Sequence, residues 1–305
     1  MLGEFVALGN VCIDDLVYAN GTTQWGVPGG GAVYAALGIA LWAGAAAVVA
    51  PLGPDFPRAL IGERLDLSRC RAIAHTMRNW GLYEDDGARH FVSRRDSLPW
   101  ADFSPQADDL GDATFACAHI APMPWQRVAA VASALRARGA RVISLDLHDR
   151  ELAAMERGAL AALLAQVDVF LPSRQDTEVL FPGRTPLAAL HALRELAPGL
   201  AAIGVKCGAE GAIVHAAGAL SYVDVPSAAD VLVDATGAGD AFCGGFLAGF
   251  AGAGDVAEAA LCGAVAASFA VAGVGPAALA AAPGPLAAAR REVLRARIEH
   301  RPFHP

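Results

Sequence analysis

The chain has 305 residues, of which 55% are hydrophobic and 18% charged, and its formal net charge at pH 7 is −8. This length allows a large core in one or two domains, and a chain so apolar and so weakly charged does not stay disordered. The acidic balance provides no basic stripe, so we predict no nucleic-acid partner, while a small anionic substrate remains compatible.

Short apolar runs alternate with longer Ala- and Leu-rich helical patterns. The predicted strands are 5–8, 47–50, 142–145, 167–171, 202–205 and 212–215. The predicted helices are 32–42, 125–138, 151–165, 186–196, 241–250 and 256–271. This alternation predicts an α/β fold, a three-layer sandwich in which helices flank a mostly parallel sheet.

Two segments interrupt the alternation. Residues 15–27 are polar and mixed, and residues 76–93 form two apolar runs around the sequence Glu-Asp-Asp-Gly at 84–87. An Asp-Gly pair between such runs is typical of a β-hairpin. We therefore predict a small β lid that covers a site or pairs with a second subunit in a homodimer; ordinary surface hairpins are the alternative. The lid is predicted to consist of segments 15–28 and 76–100. Both segments lie within a single predicted domain, 1–305.

The N-terminus carries no basic segment followed by an apolar run, so we predict no signal peptide. The uncharged stretch 27–54 is interrupted by Gly38 and Gly44, and we interpret it as a buried helix and strand, not a membrane span. The six cysteines are scattered without C-x-x-C spacing, as expected of buried thiols in a reducing compartment. These features predict a cytoplasmic protein with no membrane partner.

The most informative run is Asp-Ala-Thr-Gly-Ala-Gly-Asp at 234–240, which precedes an apolar helical pattern. Gly237 and Gly239 allow backbone N–H groups to point at one spot, where a helix N-terminus adds partial positive charge. Such a spot suits a phosphoryl group, and Asp240 at its edge is placed to take a proton from an attacking hydroxyl. A glycine turn with an aspartate that only caps the helix is the alternative. The run predicts phosphoryl transfer.

This run and residues 241–246 resemble the C-terminal signature of the ribokinase-like (PfkB) carbohydrate kinases. Residues 28–32 with Gly44 resemble the N-terminal glycine signature of that family, and residues 205–211 resemble its strand and loop near the nucleotide. The resemblance spans nearly the whole chain and implies a ribokinase-like fold.

The resemblance also implies the catalytic groups. Asp240 would be the base that deprotonates the acceptor hydroxyl, which then attacks the γ-phosphorus of ATP. The N–H groups of Gly237, Ala238 and Gly239 would form the anion hole, because positioning and electrostatics supply most of the rate in phosphoryl transfer.

For the acceptor, the resemblance implies Asp14, which we place just past the first strand, with Asp15 or a plain loop carboxylate as alternatives. A carboxylate suits this task because it accepts several hydroxyl hydrogen bonds. Gly30 and Gly31 would let the backbone close on the acceptor. Asp146, just after another predicted strand, is the fourth implied acceptor contact.

The implied ATP contacts are Ser173, Lys206, Gly208 and Gly211, and Asp176 is implied to hold Mg²⁺ through water. For Lys206, a side chain that extends into solvent is the alternative. The resemblance further implies a monovalent cation, potassium, beside the anion hole. Its ligands would be Asp234, Thr236 and carbonyls near 272–275.

The sequence departs from the family pattern at several positions. Ala35 stands where many relatives have an acceptor-binding Asn, so either Tyr34 replaces it or the acceptor presents less polar surface. His148 stands in place of another Asn, and Ser173 and Asp176 replace the Asn and Glu that organise phosphates and magnesium. The changes at Ser173 and Asp176 predict altered metal handling but do not require a loss of activity, and Glu178 is an alternative acid nearby.

These residues suggest three functional hypotheses. The leading hypothesis is an ATP-dependent kinase that phosphorylates a hydroxyl of a small sugar, polyol or nucleoside. The second is a catalytically weak or inactive regulatory protein that binds a small molecule or nucleotide on the same fold. A dinucleotide oxidoreductase is disfavoured because no G-x-G-x-x-G opens the first helix after the first strand.

Overall fold

The computed structural model describes residues 4–85, 89–94 and 99–303. Asp86 and Gly87 of the predicted hairpin turn lie outside these ranges. The strands of the described part are β1 (Phe5–Leu8), β2 (Cys12–Tyr18), β3 (Thr23–Gly29), β4 (Ala46–Val49), β5 (Pro51–Leu52), β6 (Leu65–Asp66), β7 (Arg71–Ala72), β8 (Met77–Tyr83), β9 (Arg89–Arg94), β10 (Cys117–Ile120), β11 (Val142–Leu145), β12 (Val169–Phe170), β13 (Ala202–Lys206), β14 (Ala212–Ala216), β15 (Ser221–Val225) and β16 (Glu299–Pro302). The α-helices are α1 (Gly31–Ala43), α2 (Trp125–Ala137), α3 (Asp149–Ala154), α4 (Arg157–Leu164), α5 (Arg174–Leu180), α6 (Pro186–Leu196), α7 (Ala238–Ala253), α8 (Val256–Ala270), α9 (Ala277–Ala280) and α10 (Gly284–Arg295).

The main sheet has the strand order β16-β15-β14-β13-β12-β11-β10-β1-β4-β6. Seven neighbouring strands of this sheet run parallel: β6, β4, β1, β10, β11, β12 and β13. Strands β14, β15 and β16 extend the sheet in antiparallel fashion. One apolar core lies between this sheet and α1, α7 and α8, and a second lies on the opposite face under α2, α4 and α6. Coverage on both faces explains why the central strands are almost wholly apolar. The predicted α/β sandwich is therefore confirmed.

Most predicted elements are present with shifted ends, but one prediction was wrong. The single helix expected over 151–165 is two helices, α3 and α4, separated by extended backbone at Met155 and Glu156. Met155 and Glu156, the two residues of the break, are themselves good helix formers, so their propensity gives no signal for it. Instead, the separate burial of Leu152 and Leu160 sets the two helix directions. No prediction covered β10 or α10.

A separate four-stranded sheet has the order β3-β2-β8-β9. Strands β8 and β9 are antiparallel, as the hairpin pattern predicted, and β2 runs parallel to β8 with Asp14 opposite Asn79. The sequence placed Asp14 in a loop after the first strand; it lies inside β2 instead. Because successive strand residues point to opposite faces, Asp14 and Asp15 face different sides of this small sheet.

Helices α1 and α7 approach each other very closely. A Cβ on Gly38 would lie 2.4 Å from the Ala241 carbonyl oxygen, and one on Gly244 would lie 1.9 Å from that of Ala35. Only glycine permits such backbone contact, which brings the N-termini of the two helices together at one edge of the sheet. Among the helices of the described ranges, none has the length and hydropathy to span a membrane.

Candidate active site

The predicted site residues converge where the parallel strands end and α1 and α7 begin. Asp146 directly follows β11, and Lys206 is the last residue of β13. Helix α7 begins at Ala238, earlier than predicted, so Asp240 lies in its first turn. Ligand sites of open α/β sheets form at this edge.

The turn that precedes α7 requires glycine. Gly237 has φ 76°, a left-handed conformation, and a Cβ there would lie 2.4 Å from the ring of Tyr34. The Ala238 N–H donates to the Ala235 carbonyl at 3.3 Å. Among the hydrogen bonds of the described residues, the N–H groups of Gly237 and Gly239 have no acceptor, so two of the three predicted anion-hole donors are free.

Asp240 faces the start of α1. One of its carboxylate oxygens lies 2.6 Å from the position that a Cβ on Gly31 would occupy. Burial raises the pKa of the Asp240 carboxyl above its ordinary value, and the Lys206 ammonium acts in the opposite direction. A carboxylate in such a position can accept a proton at neutral pH more readily than an exposed one.

Beneath the glycine turn, Lys206 and Asp146 form a buried ion pair, with side chains 11% and 7% exposed. The Lys206 Nζ is 3.4 Å from the Cys243 sulfur and 3.5 Å from the position of a Cβ on Gly239. Burial acts to lower the pKa of Lys206, but the Asp146 carboxylate prevails and raises it. Lys206 therefore does not extend into solvent; it holds a positive charge under the first turn of α7.

Asp14 and its neighbour Asp15 have different environments. The buried Asp14 carboxylate accepts hydrogen bonds from the Asn79 amide at 2.8 Å and the Cys12 thiol at 3.4 Å, and burial raises its pKa. Asp15 pairs with Arg78 at 2.7 Å and Arg94 at 2.8 Å. The alternative in which Asp15 binds the acceptor is therefore disfavoured, because two arginines occupy its carboxylate.

Two further residues enclose the acceptor side. Gly30, at φ 101°, caps α1, and a Cβ there would lie 2.3 Å from the Asn10 carbonyl oxygen. Tyr34 is buried, and burial is the main cause of its raised pKa. The negative charges of Asp234 and Asp14 raise the pKa of Tyr34 further. The tyrosine ring thus lies between the small sheet and the glycine turn.

On the nucleotide side, Ser173 and Asp176 form a capping box at the start of α5. The Asp176 carboxylate accepts the Ser173 N–H at 2.7 Å, and the Ser173 hydroxyl accepts the Asp176 N–H at 3.1 Å. A Cβ on Gly211 would lie 2.0 Å from the Val225 carbonyl oxygen, whereas the space beside Gly208 is open. Gly208 therefore offers backbone that a nucleotide can approach.

Mg²⁺ is compatible with these residues. No cluster of three or more metal-ligating side chains occurs within 4–85, 89–94 and 99–303. Mg²⁺ keeps several waters and is commonly held through one or two carboxylates, a role that the chemistry of the Asp176 carboxylate fits. One Asp176 oxygen is engaged by Ser173, which leaves the other available.

Asp234 and Thr236, the predicted cation ligands, contact the small sheet. The Tyr83 hydroxyl donates to Asp234 at 2.9 Å and lies 3.0 Å from the Thr236 hydroxyl. Arg89 donates to the Thr236 hydroxyl at 2.9 Å and lies 3.7 Å from the Asp234 carboxylate. The cation site remains a prediction, and these contacts argue against it.

Sequence reasoning missed Asn79, Tyr83 and Arg89 as site residues. Tyr83 and Arg89 lie on either side of the predicted turn, so the hairpin prediction already implied that they are close to each other. The parallel pairing of β2 with β8, which brings Asn79 to Asp14, carries no local signal.

Comparison with known proteins gives consistent matches over most of the chain. A family model described as pfkB family carbohydrate kinase matches residues 8–282. A curated cytidine kinase of Thermococcus kodakarensis is 25% identical over 252 residues, which cover 81% of this chain and 88% of that protein.

Two solved structures show the same fold. A putative ribokinase II from E. coli in complex with ATP and Mg²⁺ has a TM-score of 0.77 and 20% identity, and the match covers 96% of this chain and 100% of that one. The Burkholderia thailandensis nucleoside kinase in complex with inosine has a TM-score of 0.75 and 17% identity, with 98% and 100% covered.

Proposed function

Because the chain belongs to the pfkB family of carbohydrate kinases, we propose that it is an ATP-dependent kinase that phosphorylates a hydroxyl of a small sugar, polyol or nucleoside. One observation carries this proposal. The Asp240 carboxyl lies in the first turn of α7, against Gly31 and next to the free N–H groups of the glycine turn. A base and an anion-binding turn at one point are what phosphoryl transfer to an alcohol requires.

The proposed reaction follows from these positions. Asp14 accepts a hydrogen bond from the acceptor, and the backbone at Gly30 and Gly31 closes on it. Asp240 takes the proton of the reacting hydroxyl, whose oxygen bonds to the γ-phosphorus while the bond from that phosphorus to the β-bridging oxygen breaks. ADP leaves, and the proton remains on Asp240 until solvent removes it.

Charge on the transferring group is stabilised by preorganised donors. The N–H groups of Gly237 and Gly239, with Ala238 between them, point to where the phosphoryl oxygens gather charge. The N-terminus of α7 and the Lys206 ammonium add positive potential from below. Ser173, Gly208 and Gly211 are proposed to border the ATP phosphates and ribose.

Mg²⁺ is proposed to bind through water to Asp176, and when bound it would neutralise charge on the β- and γ-phosphates. The Ser173 N–H fixes the Asp176 carboxylate through a 2.7 Å hydrogen bond. Asp176 therefore has one oriented oxygen for a metal-bound water. This orientation supports the proposal that Asp176 serves in place of the longer glutamate of the family.

We also propose that the chain is a single domain with the small sheet as its lid. The contacts of Tyr83 and Arg89 with the loop before α7 support this role. On the opposite face of the sheet, Trp25, Leu82 and Val92 are exposed apolar side chains, which supports a homodimer through the lid.

The test is phosphate transfer from Mg·ATP across a panel of sugars, polyols and nucleosides, with Asp240→Asn measured beside the wild type. We expect kcat on the accepted substrate to fall about 100- to 10,000-fold, because the base is lost and its steric shape is kept. Asp255→Asn is the matched control, since Asp255 caps the start of α8 away from the cleft. An Asp240→Asn variant with wild-type turnover would refute the proposed base.

A nucleotide-binding regulatory protein is the second candidate, and one position favours it: Ala35 is buried in α1 and has no side-chain group that could hydrogen-bond an acceptor hydroxyl. ATP binding without turnover of any acceptor, unchanged by Asp240→Asn, would support this candidate against the kinase.

A further inference from the structure

The last residue of β8, Tyr83, and the first residue of β9, Arg89, contact the loop that leads into the glycine turn. Tyr83 and Arg89 are opposite each other in the strand register. The Tyr83 hydroxyl donates to Asp234 at 2.9 Å and lies 3.0 Å from the Thr236 hydroxyl. Arg89 donates to the Thr236 hydroxyl at 2.9 Å and lies 3.7 Å from the Asp234 carboxylate. Asp234 and Thr236 precede Gly237 in the chain, so Tyr83 and Arg89 link strands β8 and β9 to the glycine turn through side chains.

The side-chain oxygens of this loop already have protein donors. One Asp234 oxygen accepts the Thr236 N–H at 2.9 Å, and the other accepts the Tyr83 hydroxyl at 2.9 Å. The Thr236 hydroxyl oxygen accepts from Arg89 at 2.9 Å. A metal ligand needs a lone pair directed at the ion, and these donors compete for the lone pairs.

The charges around Asp234, like its hydrogen bonds, disfavour a bound cation. The Asp234 side chain is 3% exposed, and the Arg89 guanidinium lies 3.7 Å from its carboxylate. An arginine is charged at every physiological pH, so it neutralises Asp234 permanently. A second cation beside the guanidinium would be repelled, and solvent screens this repulsion in part because the Arg89 side chain is 32% exposed.

We propose that Arg89 supplies from the lid the positive charge that the family resemblance assigns to a monovalent cation, so that this chain works without potassium. Arg89 is a positioning residue: it acts through Thr236 and Asp234 on the glycine turn and does not touch the reacting atoms. The activity part of this inference rests on the proposed kinase function.

The test compares wild type, Arg89→Ala, Arg89→Lys and Arg94→Ala in potassium and in tetramethylammonium chloride at equal ionic strength. Arg94 is the matched control, because it lies at the other end of β9 and pairs with Asp15. We expect the wild type and Arg94→Ala to have kcat values within about twofold in the two salts. Arg89→Ala should lose about tenfold or more in tetramethylammonium, because a charged hydrogen bond is removed, and potassium should restore most of the loss. Arg89→Lys should retain cation independence in part.

A wild-type kcat that rises tenfold or more with potassium overturns the inference, and so does an Arg89→Ala variant that is as active as wild type in tetramethylammonium. The unfolding temperature with and without potassium gives a second readout that needs no acceptor. A potassium-specific rise in Arg89→Ala but not in wild type supports the inference even if no substrate is phosphorylated and the proposed kinase function fails. An equal rise in both proteins overturns it.

Discussion

The two halves of the site are built differently. The half on the main sheet combines a glycine turn and a helix N-terminus, which lie within one recognisable run, with a buried ion pair between Lys206 and Asp146, which are distant in sequence. The half on the small sheet combines Asp14, Asn79, Tyr83 and Arg89, which meet only because β2, β8 and β9 pair. The first half is organised by backbone geometry, and the second by side-chain contacts between strands.

Substitutions in the two halves should therefore act in different ways. On the main sheet, the functional groups sit in a tightly packed region where backbone is close to backbone, so a change there affects folding and chemistry together. On the small sheet, the side chains of neighbouring residues point to opposite faces. One residue can therefore contribute to acceptor binding while the next contributes only to fold stability.

The largest effect should follow Lys206→Met. The variant leaves the buried Asp146 carboxylate without its partner, and breaking a buried ion pair costs about 3–5 kcal/mol of unfolding free energy. Without the ammonium, the pKa of Asp240 rises further, and the acidic limb of the kcat/KM profile moves to higher pH because the base must be ionised. Urea unfolding and a pH–rate profile measure the two effects.

Lys206→Met combined with Asp146→Asn separates these two contributions. Most of the lost unfolding free energy should return because no buried charge remains unpaired, whereas turnover should stay low. If the double variant regained turnover, the positive charge beneath the glycine turn would have no part in the chemistry.

An intermediate effect should distinguish Asp14 from Asp15. Asp14→Asn should reduce kcat/KM for the acceptor about 10- to 100-fold, the effect of a lost hydrogen bond to a charged group, with little change in unfolding temperature. Asp15→Asn should leave the acceptor KM unchanged and cost about 1.5–3 kcal/mol of unfolding free energy, because it weakens two arginine contacts. The reverse pattern would assign acceptor binding to Asp15.

The smallest effect is the pH dependence of the Asp15 contribution. Burial acts to raise the pKa of Asp15, but hydrogen bonds from Arg78 and the Gly26 N–H prevail and lower it. A carboxyl with a lowered folded-state pKa stabilises the fold above its unfolded value of about 3.9, and this contribution is lost as the pH falls through the folded-state pKa. The difference in unfolding free energy between wild type and Asp15→Asn should therefore be constant near pH 7 and shrink below about pH 4. A difference that grows on acidification would contradict this assignment.

Much of the main-sheet half could be predicted. The alternation of apolar runs specified the α/β class, and the residues around Gly237 and Asp240 specified an anion-binding turn at a helix start. The start of α7 was placed too late because the small residues before it carry no helical periodicity. The break between α3 and α4 was missed because its residues favour helix.

The glycine turn, the hairpin and the layered sheet follow from short-range stereochemistry and were predictable from local sequence. Tertiary structure alone decided that Lys206 pairs with Asp146, 60 residues away, and that Arg89 lies on Thr236, 147 residues away. Such contacts depend on which strands become neighbours and on which face each side chain points to. Local residue preferences do not contain that information, because pairing is settled by burial and strand register over the whole molecule.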